Sequence, residues 1–142
     1  MRHIFVKCAT YQQWRHEARE LLIDKTTSKL ESMRIDGSVR INLIHAAEYL
    51  FTDNPVIWPL HLTMYYLGQI PNLDTFIPVD NKLNKITLAK LKTHISADWH
   101  TSSIRLAGRI FGDYQKRMAI INIPSHITST SILHTYTSNR RQ

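Results

Sequence analysis

Two short stretches of this 142-residue chain share the pattern His-apolar-Thr: His61-Leu62-Thr63 and His126-Ile127-Thr128. In a β-strand, residues i and i+2 project from one face, so each copy would set an imidazole beside a hydroxyl. Two such strands facing each other carry the chemistry of phosphoester cleavage. One histidine, neutral, takes a proton from the attacking hydroxyl; the other, protonated, gives one to the leaving oxygen. An unperturbed imidazole pKa of ~6.5 lets both forms coexist near neutral pH. The two threonine hydroxyls hold non-bridging phosphate oxygens and keep the phosphorus in line. His61 and His126 are therefore the expected catalytic pair and Thr63 and Thr128 the phosphate ligands. Which histidine is acid and which is base stays open. No metal and no cofactor enters this scheme.

The pattern is short. His94-Ile95-Ser96 and His100-Thr101-Ser102 match a looser form of it, and both read as incidental, His94 because it falls where a helix is expected. Three side chains are candidate substrate contacts: Trp58 and Tyr65 flank the first copy and could stack on a base, and Arg105 lies between the copies. Each has a plainer reading, as a packed aromatic or as a charge on a wet face. No GxxxxGK[ST], GxGxxG or GxSxG signature occurs. The single cysteine, Cys8, and the absence of a His-x-x-x-His pair leave a zinc site without support.

The elements that would position these groups follow from periodicity and turn chemistry. His3 to Cys8 alternates enough for a strand. Thr10 and Gln13 form a capping box, predicting a helix from about Tyr11 to about Met33, ended by Asp36-Gly37. Trp14, Ala18, Leu21 and Leu22 give that helix its apolar stripe; Arg15, Glu17, Arg19 and Glu20 take the wet side. Val39, Ile41 and Leu43 alternate as a strand, and Tyr49-Leu50-Phe51 reads as another. Asp53-Asn54-Pro55 is a turn. Leu60 to Gly68 is the clearest strand, with Leu60, Leu62, Met64 and Tyr66 toward a core and His61, Thr63 and Tyr65 on the other face. Leu73 to Val79 reads as extended and Thr87 to Ala97 as a helix. Ser103 to Phe111 and Arg117 to Ile123 read as strands joined by a Gly112-Asp113 hairpin. Interspersed helices and strands without a regular βαβ period imply an α+β fold, in one domain covering residues 1–142.

Composition narrows the class. A hydrophobic share of 43% and a charged share of 20% suit a globular protein, and four glycines and five prolines exclude a collagen-like chain. No apolar run approaches the ~20 residues that span a bilayer, so no membrane partner is expected. The start, MRHIFVKCATYQQW, has no apolar core of a secretory signal. One cysteine suits a reducing, cytoplasmic setting. Eighteen Lys and Arg against eleven Asp and Glu give a net charge of +7, which suits a phosphate-rich partner such as RNA.

Pro59-Leu60-His61-Leu62-Thr63-Met64-Tyr65-Tyr66-Leu67-Gly68-Gln69-Ile70-Pro71 resembles the first signature of the 2H phosphoesterases, the LigT-like superfamily. In that family an apolar-His-apolar-Thr strand leads into an apolar stretch ending Leu-Gly. The likeness covers about a dozen residues in detail; the rest of the chain matches only in layout, with His126 and Thr128 at the second motif. The resemblance implies two pseudo-symmetric lobes with antiparallel sheets flanked by helices and a central cleft. It implies metal-independent hydrolysis of 2′,5′-linked oligoadenylates, as in small viral members that antagonise antiviral signalling. Its alternative is a 2′,3′-cyclic phosphodiesterase of RNA end processing. The expected partner is a small oligonucleotide or cyclic-phosphate substrate, bound by a monomer. A rival from another class is a non-catalytic basic RNA-binding module, supported by the charge. A metal-dependent nuclease is weaker still, because the carboxylates do not cluster near the histidines.

Overall fold

A computed structural model describes residues 3–52 and 64–121. Every regular element among them is helical: α1 (Gln12–Ser32), α2 (Gly37–Tyr49) and α3 (Lys85–Ile121), with a π-helical turn at His3–Lys7 and 3₁₀ turns at Ala9–Tyr11, Met64–Leu67 and Leu73–Thr75. The expected α+β fold, with two lobes built on antiparallel sheets, is thereby corrected: there is no strand among the described residues. The chain divides into two compact units, Met1–Phe111 and Gly112–Gln142.

Helix α1 starts within a residue of its expected position and ends by a Schellman motif. The Arg34 N–H donates to the Glu31 carbonyl at 3.0 Å and the Ile35 N–H to Leu30 at 2.9 Å. Arg34 sits at φ 55°, the left-handed residue that this motif requires, and Ile35 and Leu30 are both buried. The buried stripe is Leu22, Thr26 and Leu30, further along than the expected one. Leu21 is 55% exposed.

The segment expected as a strand at Val39 to Leu43 is part of α2. Val39, Leu43, Ala46, Ala47 and Leu50 are all buried, at the i, i+4, i+7, i+8 and i+11 spacing of one helical face. Ile41 decides between the readings: a strand would bury it with Val39 and Leu43, and it is 66% exposed. Tyr49-Leu50-Phe51 is the end of α2 and the turn after it, not a strand.

The same correction applies to the hairpin read between Ser103 and Ile123. Leu91, Ile95, Trp99, Ser103, Leu106, Ala107 and Ile110 form one helical stripe, which passes straight through the expected first strand. Gly112-Asp113 makes no turn; Asp113 accepts from Arg117 four residues on, at 2.6 Å, within the second unit. The helix expected over Thr87 to Ala97 lies inside α3. Residues 122 and 123 fall outside the described ones.

Two further segments close into turns rather than extending. At the N-terminus the Cys8 N–H reaches back to the His3 carbonyl at 2.8 Å, and Phe5 and Val6 are both buried. Leu73 to Val79 is turned at its start by the Asn72 side chain, which accepts from the Asp74 N–H at 3.0 Å.

The core of the first unit is formed by the apolar faces of α1, α2 and α3. Trp99, fully buried on α3, donates its Nε1–H to Thr26 Oγ1 on α1 at 3.0 Å, so the buried hydroxyl and the indole satisfy each other. The Ser103 hydroxyl, also buried, donates to the Trp99 carbonyl at 2.8 Å. Arg109 of α3 lies over the Trp14 ring of α1, 3.8 Å from its centroid, and faces Glu17 at 3.7 Å.

Candidate functional site

His61, Thr63 and Trp58, and the whole second copy with His126 and Thr128, lie outside the described residues. From Met64 onward, directly after the first copy, the chain is described again. The expected strand cannot run on through it, because Met64–Leu67 is a 3₁₀ turn. Tyr65 is fully buried, and its hydroxyl donates to the Phe5 carbonyl. Burial pushes its phenol up, with the Arg15 charge working the other way. Its ring meets Phe51 edge-on at 5.0 Å, and Tyr66 stacks on Phe5 at 4.5 Å. The Leu67-Gly68 pair, which contributed to the family resemblance, has a local explanation. Gly68 closes the turn at φ 77°, and a Cβ there would come within 3.3 Å of the His100 ring. His100 Nδ1 donates to the Gly68 carbonyl at 2.8 Å, since a carbonyl can only accept. Arg105 is exposed on α3.

The aromatic packing around Tyr65 backs a cleft of about 810 Å³ on the first unit. Its floor includes Val6, Leu50 and Phe51; its rim carries Lys7, Arg15, His16 and Arg19 with the amides of Gln12 and Gln13. No carboxylate is among the described residues that line it. Lys7 ends the N-terminal turn, and the others occupy the first two turns of α1. The first turn of α1 has no acidic residue and no side-chain cap, so the positive end of the helix dipole adds to the field.

Arg15 ties α1 to the N-terminal segment, and the two together form one wall. Its Nη1 donates to the Phe5 carbonyl at 3.3 Å and its Nη2 to the Cys8 carbonyl at 2.9 Å. Arg19 Nη2 donates to His16 Nδ1 at 3.0 Å, which places a guanidinium and an imidazole side by side. Glu17 lies on a different side of α1, engaged by Gln13 at 3.3 Å and facing Arg109. The other wall comes from the turn after α2, where Phe51 is held at φ 71°. That backbone is rare for a bulky residue and persists only where packing imposes it; here the ring is 2% exposed. Cys8 sits beside this cleft. A hydrogen bond from Thr10 holds its thiol below the usual range, with burial opposing and Arg15 assisting.

A second groove of about 440 Å³, by Pro71, Asp74 and Lys92, differs in its charge. Its lysine is paired with its aspartate at 3.1 Å, leaving no surplus. Among the described residues no group of three or more His, Cys, Asp or Glu could hold a metal ion, and no helix is long and apolar enough to cross a membrane.

Periodicity places Arg15 and Arg19 on the wet side of α1 but does not find the cleft. The i, i+1, i+4 run Arg15-His16-Arg19 is the available signal. Its convergence with Lys7 depends on the turns at His3–Lys7 and Ala9–Tyr11, the first of which alternation disguises as a strand. Compared with known protein families, characterised proteins and solved structures, the chain matches none.

Proposed function

We propose that this protein is a basic module that binds RNA through its phosphate backbone. The observation that carries this reading is the cleft that Lys7, Arg15, His16 and Arg19 line, with no carboxylate among the described residues of its lining. Concentrating like charges opposes folding, and a phosphate ligand relieves that cost. The +7 net charge extends the same preference over the chain. Arg15 is committed to two backbone carbonyls, so it supplies field, while Arg19 supplies a direct phosphate contact.

The test is fluorescence anisotropy of a labelled oligoribonucleotide over a range of KCl concentrations. Affinity should fall steeply with salt as counterions are released. Arg19→Ala should weaken binding about tenfold, the scale of one charge-assisted hydrogen bond. It should also reduce the slope of log affinity against log salt by about 0.7. Lys90→Ala, which removes an exposed charge from α3 away from the cleft, should leave both unchanged. Equal losses in the two variants, or no salt dependence, would contradict the reading.

A second reading is favoured by one sequence observation, the paired His61-Leu62-Thr63 and His126-Ile127-Thr128. It is metal-independent phosphodiester cleavage, of 2′,5′-linked oligoadenylate or of a 2′,3′-cyclic phosphate, with the two histidines as acid and base. Incubating 2′,5′-linked triadenylate, its 3′,5′ isomer and a 2′,3′-cyclic mononucleotide in EDTA, followed by chromatography, separates the readings. Turnover lost about 100-fold in His61→Ala would establish the enzyme; intact substrates leave the binding module.

A further inference from the structure

Charge alone attracts any phosphate polymer, yet the rim of the cleft also carries groups that recognise unpaired bases. His16 and Arg19 bring an imidazole and a guanidinium together, 3.0 Å apart at their nitrogens. Imidazole rings and guanidinium planes are surfaces on which splayed-out RNA bases stack. The amide of Gln12 lies on the same rim and offers both a donor and an acceptor to a base edge. In a duplex the Watson–Crick edges are occupied and the base faces are stacked on one another, so a stacking surface finds no exposed base there. The dimensions agree. A cleft of about 810 Å³ falls within the roughly 300–1,000 Å³ that encloses a drug-sized molecule, which is the scale of two linked nucleotides. Double-stranded RNA is read instead over about 16 base pairs of extended surface.

We infer that the cleft selects single-stranded RNA, seating about two nucleotides with a base against the His16–Arg19 pair. This rests on the RNA-binding reading above and narrows its ligand.

The experiment compares a short labelled RNA with the same strand annealed to its complement, by anisotropy at one salt concentration, using the full chain. The single strand should bind at least tenfold more tightly. His16→Ala should weaken single-strand binding about tenfold, the scale of one lost base-stacking contact, without changing the salt slope. Its effect on the duplex should be negligible. His16 is exposed, and far-ultraviolet circular dichroism confirms that the variant is folded. Equal or tighter binding of the duplex would overturn the single-strand assignment while leaving the RNA-binding reading standing. Single-strand affinity untouched by His16→Ala would overturn the stacking role and the assignment with it. No binding of either RNA would overturn the RNA-binding reading itself.

Discussion

The two halves of α1 do different work. From Leu22 to Leu30 the helix buries Leu22, Thr26 and Leu30 at four-residue intervals, and the one buried hydroxyl is matched to the Trp99 indole. From Gln12 to Arg19 the same helix turns three cationic or imidazole side chains toward a cleft with no acid among the described residues that line it. One half minimises unsatisfied groups and so stabilises the fold; the other gathers like charges, which opposes folding. Neighbouring carboxylates exist: Glu17 is on the same helix, and it is turned to Gln13 and Arg109 instead. The contrast separates what holds the protein together from what meets a partner.

The strongest way to break the core half is Trp99→Ala. Removing a fully buried indole leaves a cavity and strands the Thr26 hydroxyl, costing about 3–5 kcal/mol. Urea unfolding should show the midpoint collapse, and a loss under 1 kcal/mol would mean that α3 does not close this core. Arg19→Ala, in the other half, should shift the same midpoint by no more than about 0.5 kcal/mol while weakening RNA binding about tenfold. Those opposite signatures on one helix are the sharpest form of the contrast.

Tyr65, which backs the cleft, should give an intermediate effect. Tyr65→Phe removes the hydrogen bond to Phe5 and should cost about 1 kcal/mol. It also carries a pH signature. Burial raises the folded-state pKa of Tyr65, so the folded form holds its proton more tightly than the unfolded chain. That stabilisation is complete below about pH 10, where an unfolded tyrosine titrates, and is lost as pH rises further. Wild-type stability should therefore fall on the alkaline side, and more shallowly in Tyr65→Phe; identical alkaline limbs would contradict the buried phenol.

The one expected gain lies at the end of the core half. Arg34→Gly relieves a left-handed conformation at an exposed position and should stabilise by about 1 kcal/mol, read as a raised melting temperature.

How much of this was legible depends on the residues. The extent of α1 was legible to within a residue at its start from its long polar face, although the capping box read at Thr10 and Gln13 is not formed: α1 has no side-chain cap. The identity of α2 was hidden by Val39, Ile41 and Leu43, three β-branched or large apolar residues at alternate positions. The tie-breaker was the longer series on to Ala46, Ala47 and Leu50, which a short window misses. In α3, Gly108 and Gly112 interrupt the apolar pattern and mimic a hairpin, although neither has a heavy atom nearby that a Cβ would meet. The buried series from Leu91 to Ile110 overrides them. Of the candidate site residues, Tyr65 and Arg105 are among the described residues, and they lie in different settings, one in the core and one on the surface of α3. The cleft itself was illegible for a topological reason: Lys7 and Arg19 line it together only because the turns between them lead the chain into α1.

The most direct measurement of the central claim is the nuclear magnetic resonance footprint of a short single-stranded RNA on isotopically labelled protein. Backbone amide shifts should concentrate at Lys7 to Arg19 and at Leu50 to Thr52, and should weaken as salt is raised. Shifts confined to α3 or to the groove beside Asp74 and Lys92, with the amides of Lys7 to Arg19 unmoved, would contradict it.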